Sequence, residues 1–246
     1  MKLPTARTIL SDYLFGIPLE DENGKEYPKS NIDEWITRAI SWLENQLQIK
    51  IRPTAIVDEH HDYYIDEYQS FCYVQLYQYP VLSVQNLVAN YAGQDVMSFP
   101  QDWIHIYKES GQLQLLPTTG SLSQVLLGQG SGILLPLITA RLSTMPHLFR
   151  VSYTAGFPEN EIPPNLCDII SMKACIGVMN ILGDILLGAG IASQSVSIDG
   201  LSESINTTQS AENSTYSARI RQYEREIKAQ LPDLKAYYKG LRLAVA

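Results

Sequence analysis

Histidines and carboxylates are the side chains in this sequence with the clearest capacity for chemistry. Four histidines are present, His60, His61, His105 and His147, and two of them sit in the run Asp58-Glu59-His60-His61-Asp62. Imidazole nitrogens and carboxylate oxygens can hold a catalytic zinc or act as general acid and base. On an extended chain, however, adjacent side chains point to opposite faces, so the five groups cannot all converge on one ion. The run is read as structural or solvated, and a small metal-dependent hydrolase would rest on His60 and His61 alone. Asp66 and Glu67 could serve as an acid/base pair, yet nothing in the sequence separates them from surface acids.

The other spacings fail in turn. Cys72, Cys167 and Cys175 have no zinc-like spacing and leave an odd thiol if two pair, which points to a reducing compartment. Gly128-Gln129-Gly130-Ser131-Gly132 lacks the third glycine of a dinucleotide fingerprint, since position 133 is Ile. No Walker lysine follows Gly183 and Gly188, and neither a serine elbow nor an HExxH helix is present. Asp21-Glu22-Asn23-Gly24 puts its glycine at the fourth position, where a calcium loop needs it at the sixth. The expectation is no enzyme: no catalytic residues, no bound metal and no cofactor. The sequons at Asn206 and Asn213 matter only in a secreted chain, and the N-terminus has no signal-peptide pattern.

At 246 residues, 45% hydrophobic and 18% charged, the chain can bury a real core in one large domain or two small ones. Fifteen Tyr against five Phe suits either a Tyr-rich sheet or surfaces that are buried in an assembly and wet at the edge. Charge is uneven. From Ser217 onward seven basic residues face three acidic ones, net +4, which leaves 11 basic and 23 acidic elsewhere, net −12. An acidic body argues against wrapping nucleic acid, which needs clustered Lys and Arg. A basic tail on such a body suits an acidic partner. Leu166–Ala192 approaches a membrane span, but Asp168, Lys173 and Asp184 interrupt it.

These groups must be positioned by the elements that periodicity predicts. Leu10, Leu14 and Phe15 mark a short helix or turn within an N-terminal arm, 1–29. A helix over 31–48 is capped by Asn31 with Glu34 as its capping-box partner, and Ile32, Trp35, Ile36, Ala39, Ile40, Leu43 and Leu47 form its apolar stripe. Between 54 and 148 the pattern becomes strands: Tyr63–Tyr68, Phe71–Tyr79, Val81–Val88, 103–107, then a turn at Glu109-Ser110-Gly111 into Gln112–Leu116. A long loop from Thr118 to Pro146 carries Leu134, Leu135, Leu137 and Ile138, an apolar tip that favours a partner surface. A strand at 149–154 leads to a proline-started helix at 164–182, apolar around most of its circumference and therefore buried, with small residues such as Gly177 where another helix can approach. A Ser-rich hairpin arm follows at 190–213, turning at Asp199-Gly200 between alternating runs. A basic amphipathic helix spans 216–240; Pro232 kinks or restarts it and Gly240 can end it.

The order of a strand ending VSYTAGF followed by a proline-started buried helix resembles the head–tail connector (adaptor) proteins of tailed bacteriophages. The tract GDILLGAGIASQSVSIDGLSESINTT and the early stretch DYLFGIPLEDENGKEYPKSNIDEWITRAISWLENQLQI look like parts of the same family. The resemblance covers about half the chain and leaves the middle unexplained. It implies a helical adaptor core from 30–53 and 149–246 with extended arms; together with the strand pattern at 54–148, read as an inserted antiparallel β-sheet or barrel that departs from the family, the expected fold is α+β. It also implies a structural virion protein at the head–tail neck, made in the host cytoplasm. Such a protein forms a ring, twelve-fold in the family, beneath the portal protein and above further neck or tail proteins, and DNA passes through without specific binding or a membrane.

Under that resemblance the C-terminal segment contacts the portal through Tyr216, Tyr223, Tyr237, Tyr238, Lys239, Leu241 and Arg242. The hairpin reaches a neighbouring subunit through Ser195, Val196, Ile198, Asp199, Gly200 and Leu201. Removal of everything after Leu231 is expected to leave a folded subunit. The alternatives are a ring farther down the neck, or an aromatic-rich module that binds glycan or protein.

Overall fold

The computed structural model of the chain describes residues 1–17, 19–20, 25–69, 73–91, 93–116, 142–187, 193–198, 201–206 and 216–243. Side chains are described for these residues except 68–69, 184–187, 193–198, 201–206 and 240–243. The fold is mixed α and β with antiparallel sheets and several helices, in the class that the periodicity predicts. Two units separate: Met1–Leu47 with Ile162–Tyr237, and Gln48–Glu161 with Tyr238–Ala246.

The first unit is helical. Helix α1 (Ala6–Thr8) is capped by the Thr5 hydroxyl and runs into a π-helical turn at Ile9–Tyr13. Ile9 and Leu14 are buried, and the Met1 ammonium donates to the Ile162 carbonyl at 2.8 Å. The start of the chain is thus packed into this unit and is not a separate arm, while Phe15 is left exposed. Helix α2 (Lys29–Leu47) begins directly after Pro28, whose carbonyl accepts the Asn31 amide at 3.0 Å. Asn31 therefore lies inside the first turn and caps nothing. Glu34 instead faces Arg38 one turn on, an exposed pair of little energetic weight. The predicted stripe does turn inward: Ile32, Ile36, Ala39, Ile40, Leu43 and Leu47 are all buried.

A long helix, Pro164–Leu187, faces α2. Its segment Pro164–Gly183 is long and apolar enough to cross a membrane, yet 78% of that stretch is buried inside the protein, as in the core helix of a globular unit. At Gly177 the missing side chain is filled by Trp35: a Cβ there would lie 2.3 Å from the indole ring. The indole is held on its other sides by the Tyr27 hydroxyl, 3.3 Å from Nε1, and by the Arg38 guanidinium, 4.7 Å from the ring centroid. The last helix, Ser217–Leu243, runs through Pro232 and Gly240 without ending at either. It buries Ile220, Tyr223, Ile227 and Leu234, a stripe at helical spacing.

The second unit is built from two antiparallel sheets. Strands β1 (Thr54–Tyr64), β3 (Val81–Tyr91), β4 (Gln94–Ser98) and β7 (Thr144–Ala155) form one, in the order β1-β7-β3-β4. Strands β2 (Val74–Gln75), β5 (Ile104–Tyr107) and β6 (Gln112–Leu115) form the other, in the order β2-β6-β5. Both contribute to a single core that includes Tyr63, Leu76, Trp103, Leu113, Phe149 and Tyr153. On sequence, 149–154 is grouped with the helices. The ladder places this strand between β1 and β3, because both of its edges carry partners. The expected strand at Tyr63–Tyr68 stops at Tyr64 and gives way to a short helix, Ile65–Gln69, while β1 and β4 are strands that the periodicity does not show. Gly156 closes β7 at φ +126°, where a Cβ would meet the Arg52 carbonyl oxygen at 2.5 Å.

Strands β8 (Ser193–Ile198) and β9 (Leu201–Asn206) form a two-stranded sheet of their own. Ile198 pairs with Leu201, so two residues, Asp199 and Gly200, connect the strands, as the Asp-Gly signal predicts. Those two residues themselves lie outside the described set, as do Leu134, Leu135, Leu137 and Ile138.

The Gly177 contact yields a stability prediction. Gly177→Ala forces the Trp35 ring or the backbone to move, and overpacking of this kind costs about 1–3 kcal/mol. Urea unfolding of the variant is expected to show an unfolding free energy lower by that amount and a correspondingly lower midpoint. An unchanged midpoint would mean that the indole does not rest on Gly177.

Candidate functional site

The acid–histidine run folds into β1, and its side chains part company there. Asp58 has φ 55°, and the β1–β7 register shifts between Ile56 and Glu59 and again between His61 and Tyr63. Asp58 faces Arg150, whose Nε lies 3.2 Å from Oδ1, while Arg150 also donates to Asp95 at 2.8 Å. The His60 ring meets the His147 ring edge-on at 5.3 Å, and Asp62 accepts the His147 amide at 2.9 Å. Among the described residues no three His, Cys, Asp or Glu side chains gather closely enough to hold a metal ion.

Glu59 and His61, two residues apart and so on one face of the strand, form a buried centre. Glu59 Oε1 lies 2.7 Å from His61 Nε2 and accepts the Tyr77 amide at 3.0 Å. Its Oε2 accepts the Tyr153 hydroxyl at 2.7 Å, and Tyr153 in turn accepts the Gln78 amide at 3.0 Å. Burial pushes the Glu59 carboxyl up, but the hydrogen bonds from His61, Tyr77 and Tyr153 outweigh it and hold the group below its usual range. This pattern stabilises a permanent carboxylate; it is unlike a proton-shuttling acid, whose ionisation is raised toward neutrality. The centre joins β1, the segment before β3, and β7.

Beside this centre the outer face of the three-stranded sheet is aromatic and polar. Val74 and Leu76 point into the core, so their neighbours Tyr73, Gln75 and Tyr77 point out. The register then sets Gln75, Gln112 and Tyr107 in one row across three strands, with His105 against Tyr107 at 5.0 Å. At the edge of this face a pocket of about 220 Å³ is lined by His61, Asp62, Tyr64, Glu67, Tyr73 and Tyr77, together with Val74 and Gln75. Sequence reasoning missed this pocket. The one signal for it was the excess of Tyr, because β1 and β2 meet there only through tertiary packing.

The thiols described are poor nucleophiles. Cys167 and Cys175 are both buried; burial raises the first and pushes the second up to about 12.

The expected partner-binding residues are divided by the fold. Tyr223 is buried, its hydroxyl donating to the Tyr13 carbonyl at 2.8 Å, and Tyr13 in turn donates to Asp168 at 2.8 Å. Tyr238 is buried too, with its ring against Phe157 and its carbonyl accepting from Tyr79. Neither ring is free to anchor a partner. Tyr216 is half-buried, whereas Tyr237 and Lys239 are exposed; Leu241 and Arg242 lie in the helix with side chains outside the described set. Ser195, Val196, Ile198 and Leu201 lie on β8 and β9, again without described side chains. The expectation that removal after Leu231 spares the fold meets a cost: it would strip away the buried Leu234 and Tyr238 and the bond from Lys235 to Gln46 at 2.6 Å.

No protein-family model and no curated protein matches this chain.

The Glu59 centre predicts a pH signature. A carboxyl whose folded-state ionisation is depressed contributes stability above its unfolded value, and loses it as pH falls through the folded value. Glu59→Gln removes charge-assisted hydrogen bonds and is expected to cost about 2 kcal/mol at pH 7. The gap between wild type and variant should shrink as pH falls below about 4. Chemical denaturation at a series of pH values reads both; a gap that does not vary with pH would remove the ionised Glu59 from the account.

Proposed function

We propose that the chain is a structural subunit of a phage neck, which assembles as a ring beneath the portal and surrounds the path of the DNA. The observation that carries this reading is the β8–β9 hairpin, whose strands, among the described residues, pair only with each other. An isolated two-stranded hairpin is marginal in water, and three strands or a packing surface are needed to hold one. A neighbouring subunit supplies that surface in a ring. The order of elements supports the same reading: a strand, a proline-started buried helix, the hairpin and then a long basic helix follow one another as in the connector proteins that the sequence resembles.

The portal contact is assigned to the exposed side of the helix Ser217–Leu243. Tyr237 and Lys239 are exposed there together with Arg225 and Lys228, while Tyr223 and Tyr238 serve the subunit's own core. The acidic remainder suits a channel that must release its DNA, since a basic lumen would retain the strand. The aromatic pocket favours a second, binding role for the β unit that is compatible with the first.

Hydrogen exchange tests the assembly claim. Amides of 193–206 should exchange fast in the verified monomer and slowly once the protein is incorporated at the neck. Deletion of 193–206 should shift the monomer's unfolding free energy by no more than about 0.5 kcal/mol. It should also abolish incorporation into portal-bearing heads. Strong protection of the hairpin in the monomer, or wild-type incorporation without it, contradicts the proposal.

A further inference from the structure

The pocket at the edge of the three-stranded sheet presents aromatic faces and negative charge together. Three tyrosines line it, and Tyr64 and Tyr77 are 43% and 55% exposed. Asp62 and Glu67 are the only charged residues among its described lining, and no Lys or Arg is among them. Glu67 has no described hydrogen bond or ion pair. Partial burial pushes its carboxyl up, and no cation stands among the described lining to answer its charge.

The polar atoms around it are largely committed. The Gln75 amide donates to the Ser110 carbonyl at 2.7 Å, and His61 Nε2 is held by Glu59 at 2.7 Å. What the described lining offers a visitor is phenol hydroxyls, π-faces and two carboxylates. A neutral sugar uses the rings and hydroxyls but leaves both negative charges unanswered. A guanidinium answers them as well, because it brings five donors, no acceptor and a flat cation that stacks on aromatic rings.

We propose that this pocket receives a basic side chain, preferentially arginine, presented by a partner polypeptide. The acidic body, net −12 outside the last helix, steers such a partner toward it. The site stands on its own geometry and does not depend on ring assembly.

The test uses the full isotope-labelled chain, followed by amide chemical shifts during titration with a blocked Gly-Arg-Gly peptide. The controls are its citrulline analogue, which is the neutral isostere of arginine, a blocked Gly-Lys-Gly peptide and maltotriose. The arginine peptide should shift amides of 61–64 and 74–77 saturably, at least about five-fold more tightly than the citrulline peptide, with lysine between them. Glu67→Gln, an exposed substitution that leaves the core intact, should weaken binding by about five-fold, and Tyr73→Ala by a similar factor. Equal binding of arginine and citrulline, saturation by maltotriose alone, no saturable shift with arginine, or insensitivity to Glu67→Gln would each overturn the proposal.

Discussion

The helix Pro164–Leu187 has almost no polar face, and the helical unit exists to cover it. A helix apolar around its circumference is stable in water only when other elements surround it. The chain meets that demand with α2 on one side and the N-terminal turn carrying the buried Ile9, while the last helix turns its own stripe inward within the same unit. Trp35 packs on Gly177, where a large flat ring occupies the space of an absent side chain. The polar groups that this packing traps are answered locally. Tyr13 bonds Asp168, Tyr223 bonds the Tyr13 carbonyl, and Ser171 bonds back to Cys167 at 2.9 Å.

The β unit solves a different problem, that of joining two small sheets whose strands come from distant parts of the chain. A shared apolar core does most of this, and the Glu59 centre fixes how β1, β7 and the segment before β3 meet. Tyr explains why the composition is skewed. Tyr63, Tyr79 and Tyr153 are fully buried, and Tyr153 uses its hydroxyl where Phe could not. Tyr64, Tyr77, Tyr91, Tyr107 and Tyr237 are exposed. The excess is therefore divided between the buried interior and the exposed surface, two placements that composition alone does not separate.

Much of the helical half was legible, because the 3.6-residue spacing of large apolar side chains is a local signal. The stripe of α2 follows from it, while the start at Pro164 and the two-residue connection at Asp199-Gly200 follow from equally local proline and Asp-Gly signals. Boundaries were less legible. The Asn31 capping signal competes with Pro28 three positions earlier, and the helix starts directly after Pro28. Proline at 232 does not interrupt the last helix, whose neighbouring Leu234 and Tyr238 are held by packing. Strand β1 was hidden because its charged residues are satisfied across the sheet: Asp58 by Arg150, and Glu59 by Tyr153 and Tyr77. The pocket was hidden for the same reason, since its lining comes from two strands and a short helix that only the fold brings together.

Once each core is satisfied, the described residues leave a hairpin without a third strand, a basic helix face and an aromatic acidic pocket. The proposed neck role rests on these surfaces, each of which a neighbour would cover. Electron microscopy of the full chain mixed with portal-bearing heads bears on this most directly. The account predicts a closed ring of added density on the portal axis, with a clear central channel. Heads that gain no such ring at saturating protein, or a chain that binds only as scattered single copies, would contradict it.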